Sequence, residues 1–176
     1  MGGLGLRKKT IILISAVIII VVIAGAVIGT SIIVRTNNKD FKKDPAFYKA
    51  LGNYFAEQED YDKAVIAYES CLLLSEDTDV RNNLAVIYHK QGMYSEAISQ
   101  LRRLIINHPD NPSYHYDLAV NLVEKFRKTD DKNIADLEEA LSEYEKAEEL
   151  SPGYAHAEQN IKVLRRILGL EALEKN

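Results

Sequence analysis

The sequence has little cysteine: Cys71 is the only one among 176 residues. A single cysteine excludes an intramolecular disulfide, and it excludes a cysteine-based metal cluster within a monomer. Cys71 falls at a helical position that favours a small apolar side chain. We therefore expect it to be a buried core residue and not a reactive group.

Acidic residues are missing from the first 34 positions, whereas all 26 aspartates and glutamates come later. Once Arg7, Lys8 and Lys9 are set aside, 19 basic residues accompany those 26 acids, which is a net charge of −7. This balance disfavours nucleic-acid binding, which needs a basic footprint. The part beyond the anchor, roughly 130 residues, is long enough for one domain.

Motifs of common active sites are also absent from the sequence. It contains no HExxH, P-loop, GxGxxG or GxSxG. Asp130, Asp131 and Asp136 lack the glycine and the terminal glutamate of a calcium loop. The histidines lack the spacing of a metallohydrolase; they are His89, His108, His115 and His156. We therefore expect no enzymatic activity, no metal and no cofactor.

A long uncharged segment follows the short basic tail 1–9. Residues 10–34 read TIILISAVIIIVVIAGAVIGTSIIV, and as a helix they would extend about 37 Å, against a bilayer core of about 30 Å. This predicts a single transmembrane helix over 10–34, in contact with membrane lipid, and then a polar linker over 35–43. A cleaved signal peptide is the alternative, because Ala24-Gly25-Ala26 resembles a cleavage site. The apolar run continues for eight residues past Ala26, which favours the anchor.

Basic residues lie on both sides of this span, three before it and four soon after it, so the positive-inside rule is nearly tied. The short basic tail is typical of a signal anchor, so we expect a cytoplasmic N-terminus and an extracytoplasmic domain. Gly25 and Gly29 form a GxxxG step that lets two spans approach closely. Small residues are also simply common in membrane spans.

From residue 44 onward the chain repeats itself. Gly52, Ala85 and Ala119 lie 33 and 34 residues apart, each directly after a leucine. Three other sets of positions recur in the same order: Phe55, Tyr88, Leu122; Ala64, Ala97, Ala140; Tyr68, Leu101, Tyr144. Small residues allow two helices to pack closely, while leucines and aromatics fill the space between helices. The spacing therefore predicts helical hairpins.

The predicted hairpins span 44–77, 78–110 and 111–153. Later positions of the third are displaced by 43 residues from those of the second, so we place an insertion near 125–138. Residues 154–176 contain a helix with one apolar face and a tail, which would cap the open end. Seven helices are expected after the linker.

Local signals predict where some of these helices begin. Asp44-Pro45 and Asn111-Pro112 combine a capping side chain with a proline in the first turn. Gly92 is suited to a left-handed helix end. Ser95 is the predicted N-cap of the helix that follows it.

This pattern resembles the tetratricopeptide repeat family over residues 44–153, most clearly in NLAVIYHKQGMYSEAISQLRRLIINHPD of the second unit. The resemblance implies an all-α, right-handed solenoid of three hairpins and a capping helix, behind the transmembrane helix. In that family the first helices of successive hairpins line a concave groove that binds peptides. The corresponding residues here are Lys49, Asn53, Asn83, Val86, His89, Tyr116, Asp117, Val120 and Glu124.

Some members of the family grip a terminal carboxylate with five residues of this groove. Lys49, Asn53 and Asn83 match the first three positions of that clamp. Ser113 and Asp117 stand at the two basic positions, and an aspartate there would repel the carboxylate. The resemblance therefore implies peptide-contacting residues without a complete clamp.

These observations predict a membrane-anchored scaffold or adaptor that binds a protein or peptide partner in the groove. Tethering would raise the effective concentration of the groove at the membrane. The alternative is a structural protein that forms homo-oligomers through its span and its helix faces.

Overall fold

The computed structural model describes residues 44–170, all within one compact unit of the chain, Lys39–Asn176. They form seven helices and no strand: α1 Pro45–Glu57, α2 Tyr61–Leu74, α3 Thr78–Lys90, α4 Tyr94–Asn107, α5 Pro112–Lys128, α6 Ile134–Leu150 and α7 Ala157–Ile167. Each helix packs against the next one along the chain. The predicted all-α class and the helix count are confirmed for these residues.

None of the helices between residues 44 and 170 combines the length and the apolarity needed to cross a bilayer. The predicted tail 1–9, the transmembrane helix 10–34 with Gly25 and Gly29, and the linker 35–43 lie outside the described residues.

The helix starts follow from side chains that accept backbone hydrogen bonds. The Asp44 carboxylate accepts from the Ala46 amide at 2.9 Å, and Asn111 accepts from Ser113 in the same way at 3.0 Å. Gly92 has φ +74°, as its predicted role at the α3–α4 turn requires. The predicted cap at Ser95 is wrong, because α4 begins at Tyr94 and Ser95 is already inside the helix.

Small side chains lie where the helices approach most closely. Ala64, Ala97, Ala119 and Ala140 are each 0% exposed. Gly52 of α1 contacts the ring of Tyr68 on α2 so closely that no side chain fits between them. The periodic small residues of the sequence are thus the positions that allow the helices to stack.

Cys71 lies in the core of the first two hairpins and is 1% exposed. Its thiol donates a hydrogen bond to the Pro45 carbonyl at 3.2 Å. Burial raises the pKa of the Cys71 thiol, which disfavours the reactive thiolate. The expectation of a structural cysteine is confirmed.

The insertion lengthens both helices of the third hairpin: α5 and α6 have 17 residues each, against 13 and 14 in the earlier hairpins. Lys125 joins the two helices, because its ammonium lies 2.8 Å from both Asp131 and Asp136. A lysine therefore lies between two of the three aspartates of this region.

The final helix, α7, buries Ala157 and Leu164, and Ile161 and Leu168 pack partly against the same core. The opposite face of α7 is polar: Lys162 is exposed and forms an ion pair with Glu158. A helix with one apolar face and one charged face is suited to cap the open end of the solenoid.

Candidate functional site

A cleft of about 130 Å³ opens between α3 and α5. Seven of its eight lining residues come from these two helices, and Leu101 of α4 is the eighth. They are Asn82, Ala85, Val86, His89, Leu101, Asp117, Val120 and Asn121. We call this set the α3–α5 cleft. Both helices are first helices of their hairpins, so the cleft belongs to the predicted groove.

The floor of the α3–α5 cleft is a hydrogen-bonded pair of side chains. Asn121 is 4% exposed, and its amide nitrogen donates to the Asp117 main-chain carbonyl at 2.8 Å. Its side-chain oxygen therefore faces Nδ1 of His89, at 2.9 Å. An oxygen can only accept, so Nδ1 of His89 carries the proton. The rings of His89 and Tyr94 pack edge to face, with centroids 5.7 Å apart.

Asp117 is the acidic group of the cleft. Within residues 44–170 the structure shows no hydrogen bond to its carboxylate. Burial raises the pKa of Asp117, and the nearby His89 offsets part of that rise. The carboxylate thus lies in a partly desolvated place without a donor, which is unfavourable for its charged form.

The side walls of the cleft are aliphatic. Val86 on α3 is 45% exposed and Val120 on α5 is partly buried. Together with Ala85 they give apolar surface that reaches the opening. The arrangement suits a side chain with an apolar body and a polar end.

Four of the nine predicted groove residues therefore meet in one place: Val86, His89, Asp117 and Val120. Tyr116 and Glu124, on the same helix α5, have other contacts. The Tyr116 ring packs against Tyr144 and Tyr154 with centroids 5.3 and 5.7 Å away. Glu124 forms an ion pair at 2.6 Å with Arg127.

The remaining three predicted residues lie nearer the first hairpin, and their polar atoms have partners within the chain. Lys49 lies 2.9 Å from the carboxylates of both Asp77 and Asp79. Asn53 accepts from the Tyr68 hydroxyl at 2.7 Å, and Asn83 donates to that hydroxyl at 3.4 Å.

These contacts already use the charge and the hydrogen-bonding groups that would hold a bound carboxylate. The hydrogen bonds to Asp79 and Asp77 raise the pKa of Lys49, so the lysine stays charged, but its charge is already compensated. The Ser113 hydroxyl donates to Asn111 at 2.8 Å. The structure thus places the clamp-like residues in intrachain contacts.

Sequence reasoning missed two polar residues of the cleft, Asn82 and Asn121. Asn82 lies three residues before Ala85, as Lys49 does before Gly52 and Tyr116 before Ala119, so the repeat spacing could have identified it. The signal for Asn121 is weaker: it is a polar residue between Ala119 and Leu122 on an otherwise apolar helix face.

The tetratricopeptide repeat family model matches residues 55–122. No curated protein matches the chain closely enough to count as a relative. Solved structures match at low identity, which shows the fold alone.

The first tetratricopeptide repeat domain of Spaghetti (RPAP3), solved with the HSP90 peptide SRMEEVD, aligns with a TM-score of 0.59 and 20% sequence identity. The alignment covers 74% of this chain and 96% of that one. The Arabidopsis OM64 domain has a TM-score of 0.57 and 17% identity, covering 72% and 98%. MamA from Desulfovibrio magneticus RS-1 has a TM-score of 0.62 and 19% identity, covering 75% and 70%. The fold of residues 44–170 is thus that of tetratricopeptide repeats, which is consistent with a protein-binding scaffold.

Proposed function

We propose that this chain, whose residues 44–170 form a tetratricopeptide repeat domain, is a membrane-anchored scaffold that holds a segment of a partner protein in the α3–α5 cleft. The observation that carries the proposal is the cleft itself, which combines aliphatic walls with an aspartate to which no side chain of residues 44–170 donates a hydrogen bond. Binding sites typically combine apolar walls with a few polar groups in this way. The role is one of binding and not of catalysis.

The anchor in this proposal is the uncharged segment 10–34. Its length suits one transmembrane helix, with the N-terminus in the cytoplasm and the repeats on the other side. Alkaline carbonate extraction of membranes tests the anchor, and protease treatment of sealed vesicles tests the side. A repeat domain released by carbonate would contradict the anchor. A domain that is digested only in vesicles exposing the cytoplasmic face would contradict the orientation.

Site-specific photocrosslinking tests the cleft directly. A photoreactive p-benzoylphenylalanine at Val86, which is 45% exposed, should form adducts with the partner in native membranes. The matched control carries the same group at Ile66, which is 65% exposed on α2 and does not line the cleft. We expect an adduct from position 86 only, and we expect Val120→Glu to abolish it. Equal adducts from both positions would refute binding in the cleft.

Homo-oligomerisation is a second candidate, and one observation favours it. Val163 and Ile167 are 51% and 61% exposed on one side of α7, an apolar surface that a second copy could cover. Light scattering of the full chain in detergent should then give a multiple of the monomer mass, and Ile167→Glu should reduce it. A variant that still self-associates would point instead to Gly25 and Gly29, which Gly25→Leu/Gly29→Leu would test. A monomer in all cases rejects this candidate.

A further inference from the structure

We propose that the α3–α5 cleft accepts a lysine or arginine side chain of the partner segment, with the Asp117 carboxylate as its counter-ion. This inference deepens the proposed function and rests on it. It names the chemistry of the partner: a basic, exposed segment of a protein chain, whose cationic residue is inserted between α3 and α5.

The charge of the cleft is the first argument. Its eight lining residues include one aspartate and no lysine or arginine. Within residues 44–170 no side chain donates to the Asp117 carboxylate. A partly desolvated anion without a donor is costly, and a cation that donates hydrogen bonds removes that cost when it binds.

The shape and polarity of the walls are the second argument. Lysine and arginine carry a charged end on a flexible apolar stem. Val86 and Val120 provide aliphatic surface for the stem, and Asp117 lies where the charged end would reach. The volume is about 130 Å³, and a protein cavity of about 150 Å³ holds one benzene molecule. That space suits one long side chain better than a folded element.

The surrounding residues support a cation over an anion. Lys49, the basic residue of the predicted groove, is already paired with Asp77 and Asp79. His89 is the other titratable group of the cleft, and its Nδ1–H is engaged by Asn121. An acidic segment would therefore meet Asp117 with no lysine or arginine among the lining residues of the cleft to receive it, so like-charge repulsion disfavours it.

A peptide array on the full chain in detergent tests the inference. Heptapeptides carry a fixed central residue, which is lysine, arginine, glutamine, methionine or glutamate, between randomised neighbours. We expect the wild type to retain the lysine and arginine sets about tenfold more strongly than the glutamine and glutamate sets, the factor that one charge-assisted contact supplies. The preference should weaken at high salt, since part of the site is open to solvent.

Variants identify the residue responsible. Asp117→Asn should lose the basic preference while still binding peptides, and Asp117→Lys should prefer the glutamate set. Asp130→Asn is the matched control: it changes the net charge equally but lies in the exposed loop after α5, and it should behave as wild type. Circular dichroism spectra that overlay with the wild type would show that each variant is folded.

The outcomes distinguish failure of the inference, which concerns a basic side chain in the cleft, from failure of the proposed scaffold function. If the wild type binds peptides without any basic preference, the inference fails and the scaffold function stands. If Asp117→Asn keeps the full preference, Asp117 is not the counter-ion and the inference fails again. If no peptide set binds, both the inference and peptide recognition by the cleft are refuted.

Discussion

Replacing Gly52 by alanine should destabilise the first hairpin, although alanine normally stabilises a helix. A Cβ atom at Gly52 would overlap Cδ1 and Cε1 of the Tyr68 ring, because it would lie much closer to them than nonbonded carbon atoms approach one another in proteins. The ring is 1% exposed, and its hydroxyl donates to Asn53 at 2.7 Å. It cannot retreat without losing both its packing and that hydrogen bond.

The size of the effect follows from two opposing terms. Overpacking a core destabilises the folded state by about 1–3 kcal/mol, whereas replacing a helical glycine by alanine stabilises the helix by about 1 kcal/mol. The difference is about 0–2 kcal/mol, so we expect Gly52→Ala to lower the free energy of unfolding by up to about 2 kcal/mol. Urea titration of the chain, followed by circular dichroism at the helix band, measures this difference directly.

A double-mutant cycle identifies the cause. The second hairpin has Ala85 and Leu101 at the positions equivalent to Gly52 and Tyr68. The Tyr68→Leu substitution therefore gives the first hairpin the same large residue as the second. In that background Gly52→Ala should be neutral, or stabilising by up to about 1 kcal/mol. Tyr68→Phe is the control that removes the hydroxyl but keeps the ring, and there the penalty should persist. A Gly52→Ala protein more stable than the wild type would refute the steric argument.

Three further predictions concern ionisable and polar groups. Because burial raises the pKa of Asp117, its ionised form is less favourable in the folded chain than in the unfolded one. Asp117→Asn should therefore raise the free energy of unfolding at pH 7. The gain should vanish below the ordinary aspartate pKa of about 3.9, and an equal gain in urea titrations at pH 7 and pH 3 would contradict this. Burial of Asp77 opposes its ionisation, yet the Lys49 hydrogen bond holds the pKa of Asp77 below its ordinary value. The ionised Asp77 therefore stabilises the folded chain above about pH 4, and this stabilisation is lost as the pH falls through the native pKa. Asp77→Asn keeps a capping side chain but should lose up to about 1 kcal/mol at neutral pH and nothing in strong acid, whereas a loss independent of pH would point to the cap. Asn121→Ala should cost about 1–2 kcal/mol by removing a buried hydrogen-bond partner, and it should release His89 from its Nδ1–H tautomer; an unchanged imidazole ¹⁵N spectrum would show that Asn121 does not set that tautomer.

The repeat architecture was predictable because it depends on local and periodic features. Gly52, Ala85 and Ala119 recur at the repeat length, and small residues at a close helix contact leave a direct trace in sequence. Asp44 and Asn111 cap helices through hydrogen bonds that span two residues. Ser95 shows the limit of local reasoning, because a capping residue type does not by itself decide at which residue the helix begins.

The site was predictable in outline but not in its contacts. The resemblance to the repeat family implied that Val86, His89, Asp117 and Val120 line a groove, and the structure brings these four residues together in the α3–α5 cleft. The sequence did not indicate that Lys49 is paired, because Asp77 and Asp79 are 28 and 30 residues away, at the start of α3.

By itself, the sequence determined that residues 44–153 form stacked helical hairpins, since a periodic arrangement of small and large apolar residues can be buried in few other ways. Only the tertiary structure decided which polar groups have partners within the chain and which remain available to bind a ligand. His89 and Asn121 are 32 positions apart in the sequence, and their hydrogen bond forms only because α3 and α5 pack together. The burial of Asp117 depends on the same packing. Hydrogen bonding and desolvation act at distances of a few ångströms, and only the packed helices define those distances.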